Sequence, residues 1–221
     1  MQDTSIIQFS EPHSQAVARL HKEGIPTGFL STCSDRFLEH LYKAIKSSPQ
    51  SEVWVFINPN TGNVDGFIAG TTDINKMYRS ILLRKSFLFL FLLLPQLRKA
   101  PIFRYIIETL LYPYKIRPHK RSDDSVVNIQ GTSTVSKIKA ELLSIVVGAN
   151  SRKRGVGKKL IFTLDTWFLN KNIFNYKVVT ASDNNNTNKF YESCGFVHAR
   201  QFYHHGNLMN EYIRHLGPSA S

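Results

Sequence analysis

Residues 152–157, with the sequence RKRGVG, constrain the fold of this chain more than any other segment. An apolar run at 141–147 precedes them, and residues 158–170 after them carry apolar side chains at helical spacing. Two glycines allow the backbone to turn tightly, and the N–H groups of the helix's first turn then point at the loop together with the positive end of the helix dipole. The sequence therefore predicts a strand, a loop and a helix, with an anion site suited to phosphate where the helix begins.

The spacing of this loop excludes two common phosphate-binding patterns. A dinucleotide-binding loop has the form G-x-G-x-x-G and a P-loop has the form G-x-x-x-x-G-K-[ST], and neither occurs around residue 155. The spacing R-x-x-G-x-G, formed by Arg152, Gly155 and Gly157, instead resembles the pyrophosphate-binding loop of the GNAT acyltransferase superfamily. A tight glycine turn without a ligand is the alternative interpretation.

A second motif follows downstream, where the resembled family would place it. It reads N-x-x-T-x-x-F-Y-E-x-x-G-F from residue 184 to residue 196, and it resembles that family's fourth helix and the strand after it. Thr187 stands where the family usually has alanine, which adds a hydroxyl near the expected cofactor. The resemblance covers a hairpin at 52–71 and the chain from about 139 to 215.

The resemblance implies an α/β fold with a mixed, mostly antiparallel central sheet flanked by helices. A length of 221 residues with 42% hydrophobic content suits one core, so we expect a single acyltransferase domain over 1–221. The predicted elements are helices at 14–22, 36–46 and 158–170, a hairpin with strands 52–57 and 64–71, a strand at 141–147, and a second hairpin with strands 197–203 and 208–215.

Residues 73–137 form a basic helical insertion between the third and fourth strands. Helices are predicted at 74–94 and 96–112, separated at Pro95, and the insertion supplies much of the formal net charge of +12. The apolar stretch 87–94 is shorter than the about 20 residues that cross a bilayer. Burial in an enlarged core is the preferred interpretation; a homodimer contact and peripheral membrane contact through 73–121 are the alternatives.

The resemblance implies that acetyl-coenzyme A binds along the fourth strand and the glycine loop, without a metal. The pantetheine arm would pair with strand backbone, the loop would hold the pyrophosphate, and Asn184 would contact the cofactor or only cap its helix. Without the motif, the three basic side chains would be a solvated cationic patch. The expected cofactor-binding residues are Ile145, Val146, Val147, Arg152, Lys153, Arg154, Gly155, Val156, Gly157, Lys158, Asn184, Thr187 and Tyr191.

Two residues are the expected catalytic groups. By the same resemblance, Tyr191 protonates the leaving thiolate, for which a phenol with a reference pKa of about 10 is suited, and Glu141 accepts the amine's proton. Strand alternation predicts that Glu141 ends an apolar row formed by Leu143, Ile145 and Val147, where burial would raise its pKa. The alternatives are a core tyrosine and a solvated strand-end glutamate. His21 is read as a polar residue of an amphipathic helix rather than as a base.

The predicted function is acetyl transfer from acetyl-coenzyme A to a primary amine. The basic insertion favours a small anionic acceptor such as a nucleotide-linked amino sugar, and a protein N-acetyltransferase is the alternative. A non-catalytic membrane-surface or nucleic-acid-binding protein on the same scaffold is a third hypothesis, although the basic residues lack interleaved aromatics and no helix-turn-helix pattern occurs. Residues 1–7 lack the features of a secretion signal, so we expect a cytoplasmic protein with Cys33 and Cys194 as free thiols.

Overall fold

The computed structural model describes residues 5–26, 29–93, 138–204 and 206–217. Within these ranges seven strands form one sheet in the order β1-β2-β3-β4-β5-β7-β6. The strands are β1 (Ile6–Gln8), β2 (Ser51–Ile57), β3 (Val64–Thr71), β4 (Glu141–Val147), β5 (Asn175–Ala181), β6 (Val197–His204) and β7 (Asn207–His215). The α-helices are α1 (Ser14–Gly24), α2 (Asp35–Ser47), α3 (Ile74–Leu93), α4 (Val156–Asn170) and α5 (Asn185–Ser193).

The sheet is mixed and mostly antiparallel, as expected. Each neighbouring pair of strands runs antiparallel except β4 and β5, which run parallel. Both predicted hairpins are confirmed, since β2 pairs with β3 and β6 pairs with β7. The helix after the glycine loop begins at residue 156, two residues earlier than predicted.

Apolar residues on both faces of the central strands bury the sheet between two layers. Val53 and Val55 of β2 pack toward α1 and α2, while Trp54 and Phe56 pack with the residues of α4 and α5. A strand that is buried on both faces has a nearly continuous run of apolar residues, and β2 has such a run. The two layers place the glycine loop and the second motif on the same side of the sheet.

The two ends of the insertion lie next to each other, and we call this pair of ends the closed stem. The Ile74 N–H donates to the Lys139 carbonyl at 3.0 Å, and the Lys139 ammonium lies 3.9 Å from the Asp73 carboxylate. The expectations for the apolar stretch 87–94, the helix at 96–112 and the basic part of the insertion concern residues or side chains outside this description. Among the described residues, no helix has both the length and the apolar character needed to cross a bilayer.

The predicted apolar row on β4 is wrong because the strand contains a bulge. Ser144 pairs with Ala69 but Leu142 pairs with Gly70, so Leu143 is an extra residue in the ladder. As a result, Leu143 packs with the α1–α2 layer while Ile145 and Val147 pack with the α4–α5 layer. One extra residue exchanges the faces of all side chains beyond it.

The bulge also changes the surroundings of Glu141. Because Leu142 faces the α4–α5 layer, alternation turns the Glu141 side chain to the opposite face. There it lies among charged groups, with the Lys177 ammonium 3.9 Å from its carboxylate, instead of at the end of an apolar row.

Candidate active site

The glycine loop has the backbone geometry that the sequence predicts for an anion site. Gly155 adopts φ 77° and is the N-cap residue of α4, and a Cβ at this position would meet no atom within 4 Å. Glycine is therefore favoured here by the left-handed backbone and not by packing. The N–H groups in the first turn of α4 have no acceptor within the helix and face the loop, so they can bind an anion there.

Three exposed basic side chains surround this helix end: Arg152, Lys153 and Arg154. Lys153 also has a left-handed backbone, with φ 58°. The Arg152 Nε donates to the Val147 carbonyl at 2.9 Å, which ties the loop to the end of β4 and leaves the terminal nitrogens of the guanidinium for an anion. The loop is thus positively charged at the end of the strand, where a phosphate group would be attracted.

Gly157 has a packing role that the sequence analysis missed. A Cβ at this position would lie 2.9 Å from Cε2 and 3.0 Å from Cζ of Phe190, which is too close for a carbon contact. The second glycine of the loop therefore permits α4 and α5 to approach each other. The signal was available, since Phe190 belongs to the second motif, but spacing along the chain does not show that the two residues meet.

β4 and β5 separate immediately after they meet. Their ladder consists of the single pair Glu141 and Lys177, where the Lys177 N–H donates to the Ala140 carbonyl at 3.0 Å. Beyond this pair, the two strands diverge, and the remaining length of β4 has an edge that β5 does not cover. A wedge-shaped opening in the sheet results, with the glycine loop at its wide end.

The open edge of β4 presents the backbone groups of alternate residues. The Gly148 N–H donates to Asp65 on the β3 side at 2.7 Å, so the antiparallel alternation directs the backbone groups of Ile145 and Val147 toward the open edge. Val146 pairs with Phe67 of β3, and its side chain is buried in the α1–α2 layer. Of the three strand residues predicted to bind the cofactor, Ile145 and Val147 therefore face the opening and Val146 does not.

The second motif forms α5, and its first residue is a helix cap. The Asn184 side chain accepts a hydrogen bond from the Thr187 N–H at 3.2 Å, which satisfies one of the free donors of the helix end. The capping alternative considered for Asn184 is thus present in the structure. Thr187 lies in the first turn of α5, where it is half-buried.

Asn188 anchors α5 to the sheet, and the sequence analysis did not identify it. Its buried amide nitrogen donates to the Ala181 carbonyl at 3.2 Å and to the Ser182 carbonyl at 3.1 Å, at the end of β5. Its amide oxygen accepts from Asn210 of β7 at 3.0 Å. A polar residue three positions before a buried tyrosine, on the same helix face, was the signal that could have indicated this contact.

Tyr191 is buried in the α4–α5 layer, with 4% of its surface exposed. Its ring centroid lies 5.2 Å from that of Phe196, 5.6 Å from Phe190 and 6.2 Å from Tyr212. Burial, with a smaller effect from Cys194, raises the pKa of Tyr191 above its usual value. The phenol therefore keeps its proton at neutral pH, as a proton donor must.

Glu141 lies at the closed end of the opening with 20% of its side chain exposed. Burial raises its pKa to about 7, the Lys177 ammonium opposes this shift, and the Glu211 carboxylate adds to it. A carboxylate with this pKa can accept a proton near neutral pH. Glu141 and Tyr191 lie on opposite faces of the sheet, since Tyr191 packs in the α4–α5 layer and Glu141 turns away from it.

The other candidates are core residues. His21 is 2% exposed, its Nδ1 lies 2.7 Å from the Tyr42 hydroxyl, and burial lowers its pKa to about 4. Cys33 and Cys194 form no disulfide within the described part of the chain, as predicted. The described residues contain no group of three or more histidines, cysteines or carboxylates placed to hold a metal.

The second half of the chain matches a known protein family. Residues 116–196 match the model of the Acetyltransferase (GNAT) family. This range contains the glycine loop and the second motif through Phe196. No curated protein sequence matches the chain.

Solved acetyltransferase structures share the fold at low sequence identity. An N-acetyltransferase from Staphylococcus aureus Mu50 aligns with 96% of this chain and 98% of its own length, with TM-score 0.57 and 14% identity. The ribosomal-protein-S18-alanine N-acetyltransferase from Escherichia coli aligns with 98% of this chain and 96% of its own, with TM-score 0.55 and 9% identity. Arabidopsis thaliana NAA60, solved with acetyl-CoA, aligns with 95% of this chain and 97% of its own, with TM-score 0.54 and 12% identity. Residues 116–196 thus match the GNAT acetyltransferase family, and the chain as a whole shares the fold of these solved acetyltransferases.

Proposed function

We propose that this chain transfers an acetyl group from acetyl-coenzyme A to the primary amine of a small anionic molecule. The observation that carries the proposal is the wedge between β4 and β5, which has a positively charged helix end at its mouth and a carboxylate at its closed end. A nucleotide-linked amino sugar is an acceptor of this class. The bound thioester would supply the activated acetyl group.

The opening offers two kinds of contact to coenzyme A. The loop from Arg152 to Lys158, with the left-handed Gly155 at its centre, would hold the pyrophosphate through backbone N–H groups and basic side chains. The backbone groups of Ile145 and Val147 would pair with the amides of the pantetheine arm, as an added strand would. Asn184 contributes by fixing the start of α5.

Glu141 and Tyr191 would carry out the proton transfers that the reaction requires. An amine arrives protonated and must lose a proton before its nitrogen lone pair can form the new bond, and Glu141, with its pKa near 7, accepts that proton. When the bond between the carbonyl carbon and sulfur breaks, the sulfur leaves as a thiolate. The neutral phenol of Tyr191 donates the proton that converts it to a thiol. Once the carbon–nitrogen bond has formed, the nitrogen loses its second proton, which would restore the phenol of Tyr191.

The net charge of +12 supports an anionic acceptor, because a basic surface attracts anions. A protein amine is the second candidate, since two proteins that share the fold are named as a ribosomal-protein-S18-alanine N-acetyltransferase and as NAA60. We place the reaction in the cytoplasm. Contact of the segment 73–121 with an anionic membrane or with a second copy of the chain would be compatible with either acceptor.

The melting temperature with and without acetyl-coenzyme A tests the cofactor site. A ligand at 100 times its dissociation constant adds about 2.7 kcal/mol, which raises the melting temperature of a chain of this size by about 5–10 °C. Gly155→Glu places a carboxylate where the pyrophosphate would bind, and we expect this shift to disappear. Gly155→Ala is the matched control, since it imposes the same backbone strain as Gly155→Glu without a charge, and it should keep most of the shift.

Activity measurements then test the chemistry and the acceptor. We expect Tyr191→Phe to lower kcat by about 10- to 100-fold with a smaller change in the KM for acetyl-coenzyme A, because only proton donation is lost. Nucleotide-linked amino sugars, polyamines and peptides with free amino termini would be compared by release of the free thiol. Absence of a thermal shift at millimolar cofactor would contradict the proposal and favour a non-catalytic protein, whose binding to duplex DNA or anionic vesicles would then be measured.

A further inference from the structure

Four charged side chains of alternating sign cross the sheet next to the opening. They lie on the four consecutive strands β4, β5, β7 and β6. In this order they are Glu141, Lys177, Glu211 and Arg200. We call this set the charge row.

Each neighbouring pair in the charge row is in contact or close to it. The Lys177 ammonium lies 3.9 Å from the Glu141 carboxylate and 3.2 Å from the Glu211 carboxylate. The Arg200 guanidinium donates to both Glu211 oxygens, from Nε at 3.0 Å and from one terminal nitrogen at 3.4 Å. Lys177 therefore lies between two carboxylates, one of which has a second cation.

The register of the strands explains why the four side chains share one face. Glu141 is paired with Lys177, and Arg200 is paired with Glu211. Lys177 is opposite Ile213, two residues from Glu211, so Lys177 and Glu211 are diagonal neighbours on the same face. The pair of Glu141 with Lys177 is also the single rung that joins β4 to β5.

Burial makes the arrangement of these charges consequential. The Glu211 side chain is 1% exposed, and an unpaired carboxylate at that depth would be strongly destabilising. Arg200 supplies Glu211 with one positive charge through two hydrogen bonds. Because Arg200 already neutralises much of the charge of Glu211, the positive charge of Lys177 can also stabilise the ionised carboxylate of Glu141.

We propose that Lys177 is a positioning residue that keeps the Glu141 carboxylate ionised and ready to accept the amine's proton, while Glu211 and Arg200 hold Lys177 in place. The proposal rests on the proposed role of Glu141 as the base. It assigns to the charge row a role in the reaction in addition to joining the strands.

Among the described residues, Lys177 and Glu211 are the charged groups that act on Glu141 directly. On β3 its register partner is Thr71, which carries no charge. The charged residues that flank β3 and β4, Asp73 and Lys139, lie 3.9 Å from each other. Lys139 is therefore a suitable control for the loss of a positive charge close to β4.

The test is the pH dependence of kcat/KM for Lys177→Met, Lys177→Arg and Lys139→Met. We expect Lys177→Met to move the acidic limb of the profile to higher pH by about 1 unit, because an opposite charge at this distance favours the ionised carboxylate. Lys177→Arg should restore the limb to near its original position, and Lys139→Met should not move it. A merely structural role for Lys177 would lower activity at every pH without moving the limb.

Glu211→Gln gives a prediction of opposite sign. The negative charge of Glu211 disfavours ionisation of Glu141, so removing that charge should move the acidic limb of the kcat/KM profile to lower pH. This variant also serves if Lys177→Met does not fold, because glutamine has the shape of glutamate and its amide oxygen can still accept a hydrogen bond from Lys177 or Arg200. Limbs that stay fixed in Lys177→Met and Glu211→Gln, or that move in the same direction, would overturn the inference.

Carbon-13 NMR titration of the Glu141 carboxylate in the free protein separates this inference from the proposed function. If Glu141→Gln keeps full activity and the acidic limb, Glu141 is not the base, and the reaction role of Lys177 is overturned with it. If Glu141→Gln loses the limb but the NMR titration does not shift in Lys177→Met, the base assignment stands and the charge row is overturned. Shifts in both measurements, with rescue by arginine, support the proposal.

Discussion

The two edges of β4 differ sharply in how they are covered. On one side, six residues of β4 pair with β3. On the other side, Glu141 alone pairs with β5. The same seven-residue strand is therefore held rigidly along one edge and has backbone groups that β5 does not pair along the other, and the paired edge keeps the open edge in a fixed position.

This difference shows that a strand edge can offer backbone hydrogen-bonding groups whatever side chains the strand carries. Ile145 and Val147 are ordinary apolar residues that pack with the α4–α5 layer, while their backbone groups face the opening. A cofactor that pairs with backbone would then be insensitive to most substitutions of these side chains, but sensitive to the loss of an N–H group.

Proline substitutions at two neighbouring positions of β4 should show the largest difference between its two edges. Val146→Pro removes a ladder bond to β3 in the middle of the sheet, and we expect a loss of about 3 kcal/mol or more in the free energy of unfolding. Val147→Pro removes an N–H group at the open edge. It should cost less stability and weaken acetyl-coenzyme A binding by about tenfold, the effect of one hydrogen bond.

Chemical denaturation and calorimetric titration with the cofactor would measure these effects. Equal losses of stability in the two variants would show that both edges of β4 carry the fold, and would remove the distinction between them.

The pH dependence of stability tests the closed end of the opening. The pKa of Glu141 is about 7 in the folded protein and about 4.5 when unfolded, so native Glu141 holds its proton more tightly. The stability that this proton contributes is present below pH 4.5 and is lost as the pH rises to 7. We expect Glu141→Gln to stabilise the protein by about 1–2 kcal/mol at pH 8 relative to wild type, after allowance for partial exposure.

Urea denaturation at pH 4 and at pH 8 would show this, with the two proteins converging at the lower pH. A Glu141→Gln variant that is less stable at pH 8 would mean that the ion pair with Lys177 outweighs the cost of burial.

The close contact between Gly157 of α4 and Phe190 of α5 can be tested by its effect on stability. Gly157→Ala would press a methyl group against the Phe190 ring, so we expect a loss of about 1 kcal/mol in the free energy of unfolding. Phe190→Leu in the same chain should remove most of this penalty in a double-mutant cycle. Additive effects of the two substitutions would mean that the helices do not press on each other at this point.

The smallest effect concerns the start of α5 on the far side of the opening. Asn184→Ala removes the cap of this helix and should cost about 0.5–1 kcal/mol, while Asn184→Ser should retain most of the stability. Thermal denaturation of the free protein measures the cap. If Asn184→Ala instead leaves stability unchanged but abolishes cofactor binding, Asn184 acts on the cofactor directly.

The sequence supported the fold, the glycine loop and both hairpins because each depends on local patterns. Turn residues and period-two alternation indicate hairpins, and the two glycines with a basic start indicate a helix end that binds an anion. The bulge at Leu143 could not be predicted, because an extra residue in a ladder is visible only when the partner strand is known.

The parts of the candidate site that the sequence did not predict are contacts between segments that are distant along the chain. The charge row takes its members from residues 141 to 211 of the sequence and depends on the order of four strands. The fit of Gly157 to Phe190 depends on how two helices meet over the sheet. Spacing within a motif carries no information on either relation.

The closed stem of the insertion has a consequence for how such a protein can change over generations. The hydrogen bond from the Ile74 N–H to the Lys139 carbonyl holds the two ends together, just after β3 and just before β4, which are adjacent antiparallel strands. Lengthening or shortening a segment whose ends are already joined costs free energy only with the logarithm of its length. A lineage can therefore change the length of the chain between the core residues of α3 and residue 139, while the opening between β4 and β5 is inherited unaltered.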